Sequence, residues 1–400
     1  MNDLRPIALL LTPVLPVAGV SGRSLRAWDW LQELASTHRV HVLVVDSQAP
    51  ILPKADPATG VWTVAATTAV TSRGRRALGL LFPPLCLLSR RYLADWVHLA
   101  GGDISDDLGN ELGREPVERV VVFRLYLHDV ALAIARRFPL AALELDMDDL
   151  ESRTRLSVAG SLLRMGYLRA AARWTATALQ CLLVERYCPG PYHKVWLASE
   201  QDCQHARTRL APVVCSRPNR LPMPMAIKAP PEGIIRLLFV GTLNYPPNEE
   251  AVLDLLNGVV PELRRRLNLP WRLCVVGRHA SAHLTALLAT APEVEFVPNA
   301  DTMTPWYEAS HAVVVPLRSG GGTKLKTLEG FAHRRAVVST RHGMRGLGAV
   351  AGEHYLLAET PAEFAAAITR LAHDHSLSER LAESGRVLFH QHNTANEKAG

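Results

Sequence analysis

Four hundred residues give room for two domains with a core each, and 48% apolar against 20% charged residues is the balance of an ordinary globular chain, not a disordered or fibrous one. Six cysteines, at positions 86, 181, 188, 203, 215 and 274, show no C-x-x-C pairing, which argues against a disulfide framework or a thiolate metal cluster. The net charge of +6 sits in residues 1–230, with 27 Lys and Arg against 21 Asp and Glu, while residues 231–400 carry 17 of each.

Residues 7–11 are an apolar run of strand length, without a cleavage site and too short to span a bilayer. The expectation is a strand, not a signal peptide, in a cytoplasmic protein. A loop carrying Gly19, Gly22 and Arg23 follows, then a helix over about 24–36 and a strand over 40–46. This β-loop-α-β order opens a doubly wound sheet.

Residues 77–88 are apolar, broken by prolines and flanked by arginines. The segment either lies in a membrane interface or forms a buried helix pair. With the basic first half, it makes an anionic or lipid-linked acceptor, and contact with the inner face of a membrane, the expected partners. No motif for nucleic acid is present.

Strands are expected at 119–123 and 140–146, with a helix over 128–138 between them. The second strand runs into Asp146-Met-Asp-Asp-Leu-Glu-Ser152, acidic groups where open α/β sheets bind ligands. One long basic helix is read over 162–186, a strand over 193–197, and a helix capped by Ser199 after it. Prolines at 212, 218, 222, 224, 230 and 231 mark a linker. The expected domains are therefore 1–215 and 234–385, joined by 216–233 and followed by a tail, 386–400.

The second half alternates regularly. Strands are expected near 235–240, 272–276, 294–297, 312–317 and 336–339, and helices near 248–267, 280–289, 304–310, 323–333 and 362–373. The last segment is helical to about His390. A parallel sheet covered on both faces follows.

The densest signal is Arg318-Ser-Gly-Gly-Gly-Thr-Lys-Leu-Lys-Thr-Leu-Glu-Gly-Phe331. An apolar strand, a glycine turn and a helix start make an anion site of free N–H groups. Lys324 and Lys326 stand where the helix dipole disfavours cations, so an anion, most simply a diphosphate, is implied. A solvated helix start after a flexible loop is the plainer alternative.

Gly320-Gly-Gly-Thr-Lys-Leu-Lys-Thr-Leu-Glu329, Ala336-Val-Val-Ser-Thr340, Gly343-Met-Arg-Gly-Leu347 and Phe239-Val-Gly-Thr-Leu-Asn-Tyr-Pro-Pro-Asn248 together resemble the donor half of a retaining glycosyltransferase of family 4, among the glycosyl transferases group 1. The resemblance is strong over 232–390 and looser before it. It implies the α/β GT-B architecture, two doubly wound Rossmann-like domains facing across a cleft, whose terminal helix often packs back on the first domain. It also implies sugar transfer from a nucleotide-diphosphate sugar as co-substrate, with no cofactor and no metal. The D-x-D of Asp146-Met-Asp148 belongs as a metal motif to the other glycosyltransferase fold.

By resemblance, Glu329 is the second glutamate of E-x7-E and holds the ribose. Gly320, Gly321, Gly322 and Thr323, after Arg318, cradle the diphosphate. Gly241 and Thr242 form the first turn, and Gly277, Arg278 and Val297 surround the base. Three departures stand out. The first glutamate of E-x7-E falls on Gly321. The family's basic pair falls on Thr242 and Asn248, a loss that Lys324 and Lys326 are expected to replace. The first-domain histidine that faces the donor sugar in the family corresponds approximately to Asp146, the candidate catalytic residue, whose carboxylate is expected to orient a sugar hydroxyl or the acceptor. A catalytically silent nucleotide-sugar binder or scaffold, and a sugar-nucleotide epimerase, are the alternative functions.

Overall fold

The structure, a computed structural model, describes residues 5–17, 22–46, 61–68, 73–88, 97–99, 115–208 and 213–395. It divides into two units, Met1–Leu156 with Ala172–Pro218, and Ser157–Ala171 with Asn219–Gly400. Nothing in the sequence signals that 157–171 goes with the second unit.

The strands of the first unit are β1 (Ile7–Thr12), β2 (Arg39–Asp46), β3 (Val61–Thr68), β4 (Val97–Leu99), β5 (Val117–Phe123), β6 (Ala142–Asp148), β7 (Lys194–Leu197) and β8 (Val213–Ser216). Their order is β4-β3-β2-β1-β5-β6-β7-β8, parallel except for the β3–β4 pair. Successive side chains of β1 point to opposite faces, and both faces are covered. Ile7, Leu9 and Leu11 enter one core, while Ala8 and Leu10 meet Trp30 and Leu34 in another.

Helices along this part of the chain are α1 (Gly22–Thr37), α2 (Arg73–Leu81), α3 (Leu85–Leu88), α4 (His128–Arg137), α5 (Glu151–Arg164), α6 (Leu168–Tyr187) and α7 (Glu200–Arg207). Ser199 caps α7 by accepting from the Asp202 amide, as its position predicts. The single helix expected over 162–186 is instead two, α5 and α6. Gly166 adopts φ +83°, the Tyr167 amide bonds the Leu162 carbonyl, and the Gly166 amide bonds that of Leu163. That is a Schellman stop, which needs a glycine in the left-handed region. The segment 77–88 is not a buried pair: Cys86 is buried, but Leu81 is 73% and Phe82 60% exposed. Among the described residues no helix is long and apolar enough to cross a membrane, and no cluster of metal-ligating side chains occurs.

The second unit has strands β9 (Ile235–Thr242), β10 (Trp271–Arg278), β11 (Val294–Pro298), β12 (Ala312–Val315), β13 (Ala336–Ser339) and β14 (Leu356–Leu357), all parallel in the order β11-β10-β9-β12-β13-β14. The order reverses between β9 and β12, so the carboxyl ends of these two strands flank the ligand position of a doubly wound sheet. Its helices are α8 (Pro246–Asp254), α9 (Val260–Arg266), α10 (Ala282–Leu288), α11 (Thr304–Ala309), α12 (Leu325–Ala332), α13 (Pro361–His373) and α14 (His375–Ala395). Where one helix was expected over 248–267, a π turn at Leu255–Val259 separates α8 from α9. Pro261, at the start of α9, has no N–H to continue the regular ladder.

The terminal helix α14 runs past the expected end at His390. It packs on α12, where a Cβ at Gly385 would lie 2.4 Å from the Phe331 ring. Its far end bonds the carbonyls of Asn219 and Leu221 through His392 and Asn393. Asn219 and Leu221 belong to the second unit, so these bonds tie the helix to the start of its own unit.

Candidate functional site

The glycine turn leaves β12 and enters α12. Gly320 and Gly322 adopt φ +103° and +62°, values that only glycine takes readily. The Lys324 ammonium folds back onto the carbonyl oxygens of Gly320, Gly321 and Gly322, at 3.2, 2.8 and 3.0 Å. His342 adds an Nε2 contact to the Gly320 carbonyl at 3.0 Å. Burial, with Lys324 alongside, drops the His342 pKa to about 4, so the ring is neutral and donates its Nε2–H.

All peptide bonds here are trans, so each N–H points opposite to the carbonyl preceding it. With three carbonyls gathered on Lys324, the N–H groups of Gly321, Gly322 and Thr323 point away from that ammonium. None of them meets an acceptor among the described residues. The Thr323 hydroxyl is buried and also without a partner. Successive free N–H groups beside a free hydroxyl form an anion nest. Lys324 therefore shapes the cradle, where the sequence suggested a direct contact with the anion.

Lys326 behaves differently. Its ammonium donates to Asn248 Oδ1 at 2.7 Å and lies 4.3 Å from the Phe239 ring centre. Asn248 in turn donates to the Thr242 carbonyl at 2.9 Å, which fixes the orientation of its amide. A Cβ at Gly241 would collide with this amide at 2.9 Å. Burial, then the neighbouring Lys324, lowers the Lys326 pKa to about 7. The structure thus carries a lysine ammonium onto Asn248, one of the two positions where the resemblance places a basic residue.

Glu329, four residues into α12, accepts the Tyr307 hydroxyl at 2.6 Å on one oxygen. Burial raises its pKa, against the Tyr307 hydrogen bond and the Lys326 charge. Tyr307 is held flat against His333, with ring centres 5.2 Å apart. Among the described residues Glu329 forms no ion pair with Lys326, although the sequence spacing allows one. Thr323 precedes α12 rather than lying on it, since the helix begins at Leu325.

Around the expected base pocket, β9 and β10 approach closely. A Cβ at Gly277 would lie 2.1 Å from the Gly241 carbonyl oxygen, so this glycine sets the strand contact. Arg278 is exposed and reaches the Ala300 carbonyl at 3.4 Å. Val297 is half-buried and pairs with Val276. His279 and Asn299, just beyond β10 and β11, both adopt positive φ, 61° and 54°. Such backbone strain concentrates at functional loops. Arg318 instead bonds Asp254 at 2.8 Å and the Glu359 carbonyl at 3.0 Å, which anchors the entry to the turn.

In the first unit, Gly19 lies outside the described residues. Gly22 begins α1 and Arg23 is exposed. The role expected for Asp146 as a sugar- or acceptor-facing carboxylate needs correction. Its side chain is 0% exposed and receives Arg26 Nε at 2.7 Å, Arg26 Nη2 at 2.9 Å, Trp30 Nε1 at 2.5 Å and the Asp148 amide at 2.8 Å. Four donors fill the four acceptor positions of a carboxylate. Asp148 is in contact with Arg26 and Arg124, at 3.7 and 3.3 Å. Neither Arg26 nor Arg124 was singled out from the sequence; a lone arginine among Leu25, Ala27 and Trp30 on α1 was the available clue.

Residues 235–374 match the sequence profile of the family described as Glycosyl transferases group 1. No curated protein matches in sequence. Among solved structures, sucrose-phosphate synthase from Thermosynechococcus elongatus superposes with a TM-score of 0.65 at 16% identity, covering 97% of this chain and 94% of that one. Anabaena HepE in complex with UDP and glucose gives 0.61 at 12% identity, with 98% of each chain covered. A variant of S. aureus TarM, in complex with fondaparinux, alpha-GlcNAc-glycerol and UDP, gives 0.62 at 11% identity, again over 98% of each. The matched residues lie inside the second unit, and the chain has the GT-B fold of two Rossmann-like domains.

Proposed function

We propose that this protein transfers a sugar, with retention, from a nucleotide-diphosphate sugar to an acceptor taken up by the basic first half. The observation that carries the reading is the nest: three N–H groups and the Thr323 hydroxyl meet no acceptor among the described residues, at the switch point of the second sheet. HepE, which shares the fold, is known in complex with UDP and with UDP-glucose, which supports the same class of donor here.

In this reading the diphosphate sits on the nest, with Lys326 as the nearby cation. Negative charge develops on the leaving diphosphate as the sugar bond breaks, and oriented N–H dipoles stabilise it without reorganising. A leaving phosphate oxygen takes the acceptor's proton, so no separate base is required. Glu329, with Tyr307 on one oxygen, accepts from the ribose hydroxyls with the other. Protein cations and dipoles do the work that a divalent ion does elsewhere.

The test is a calorimetric panel of UDP, GDP, ADP and dTDP, followed by a transfer assay in EDTA with the corresponding sugar donors. One diphosphate should bind, and at 100 times its dissociation constant should stabilise the fold by about 2.7 kcal/mol. Binding without hydrolysis or transfer would favour the catalytically silent alternative, which the absent carboxylate at Gly321 allows.

On the acceptor side, α2 and α3 expose Leu78, Leu81, Phe82 and Leu87 in a segment whose sequence is flanked by arginines. An anionic bilayer interface fits that pairing of apolar and basic groups. Binding to anionic vesicles should exceed binding to neutral ones at low salt, and Leu81→Glu with Phe82→Glu should remove it. Equal binding to both kinds of vesicle would reject the interface.

A further inference from the structure

Three glycines in succession leave the turn without a side chain where the family places its sugar-contacting carboxylate. The turn cannot supply a substitute at Gly320 either. That residue holds φ +103°, and a Cβ there would meet the Tyr245 hydroxyl at 3.2 Å. A polar group for the donor sugar must come from another element packed beside the turn.

Helix α5 brings one. The Gly320 amide, unlike those of the next three residues, has a partner, and donates to Ser157 Oγ at 3.0 Å. A hydroxyl that accepts one bond still has a proton to give, and the Ser157 proton has no acceptor among the described residues. Ser157 is partly exposed, within the stretch Ser157–Ala171 of the second unit.

The placement is enforced along one face of α5. Ser161, one turn on, donates to Glu250 Oε2 at 2.5 Å, and Arg164 grips both oxygens of the same carboxylate. Ser319, next to Gly320, also reaches Glu250, at 3.4 Å. Burial works to raise the Glu250 pKa, but the Arg164 and Ser161 hydrogen bonds hold it below its usual value, so it stays charged. Positions i, i+4 and i+7 of one helix are therefore registered against the turn, with Ser157 at the leading end.

We infer that Ser157 is the sugar-contacting residue of the donor site, its hydroxyl donating to an oxygen of the hexosyl group in place of the carboxylate missing at Gly321. The inference rests on the nucleotide-sugar reading of the nest. The diphosphate covers the amides of Gly321, Gly322 and Thr323, and the sugar bonded to its far phosphate lies beside Gly320. A single hydroxyl, anchored on a backbone amide and neutral, gives one directional contact where a carboxylate gives two charged ones. The chemical class it suits is a neutral hexose.

The experiment compares wild type, Ser157→Ala and Ser157→Thr in the full chain. Calorimetry is run with UDP, GDP, ADP and dTDP and with their glucose conjugates. Ser157→Ala should bind the preferred diphosphate as wild type does and bind its glucose conjugate about three- to tenfold more weakly, the worth of one neutral hydrogen bond. Ser157→Thr, which keeps the hydroxyl, should restore the conjugate. Equal loss for diphosphate and conjugate, or no loss for either, overturns the role of Ser157 while leaving the nest as a diphosphate site. A wild-type protein that binds none of the four diphosphates overturns the donor reading and this inference with it.

Discussion

Two clusters of charge lie at the carboxyl ends of the two central sheets, and they differ in what is left over. At the end of β6, every acceptor position of Asp146 is filled by Arg26, Trp30 and the Asp148 amide. At the end of β12, three amides and the Thr323 hydroxyl have no partner among the described residues. Both places look alike in sequence, as polar residues after an apolar strand. Saturation marks the first as part of the framework, and the open donors mark the second as a place for a ligand.

The sharpest way to break this contrast is to remove charge from the saturated cluster. Asp146→Asn removes the carboxylate bonded directly to the buried Arg26 guanidinium. Among the described residues it leaves only Asp148, at 3.7 Å, in ion-pair range, so the fold should lose about 3 kcal/mol in denaturant titrations. A variant as stable as wild type but slower in turnover would move Asp146 from the framework into the site.

The open cluster should respond in the opposite way. Glu329→Gln keeps the shape and the fold, and nucleoside diphosphate affinity should fall by about 1.5–3 kcal/mol, the worth of hydrogen bonds to a charged group. Unchanged calorimetric affinity would show that the ribose does not lie against α12.

A smaller effect is expected from pH. Burial and Lys324 bring the Lys326 pKa to about 7 in the free protein. A bound diphosphate favours the protonated form, so affinity should be highest below pH 7. It should weaken by up to about tenfold per unit as the lysine loses its proton above that. Lys326→Met should flatten the profile. A profile that is already flat in wild type would place the anion away from this ammonium.

How much of this was readable beforehand depends on where the partners sit in the chain. The valine run, the three glycines and α12 are contiguous, so strand, turn and helix could be read together, and Lys326 and Glu329 with them. Asn248 is placed at the site by the Phe239–Asn248 motif, but Tyr307 and Ser157 could not be, because each reaches the site from a separate element and carries no local pattern. Asp146 was misplaced for the same reason: the arginine that saturates it is 120 residues away. Gly166 carries no such signal either, because a helix tolerates one glycine at a cost of about 1 kcal/mol, and only its positive φ reveals a stop.

The central claim is that the amides of Gly321, Gly322 and Thr323 hold a diphosphate. A crystal structure of the complex with the nucleoside diphosphate selected by calorimetry tests it most directly. Phosphate oxygens within about 3 Å of these three nitrogens and of the Thr323 hydroxyl are the predicted result. Diphosphate density elsewhere on the molecule, with the three amides still facing no acceptor, would contradict it.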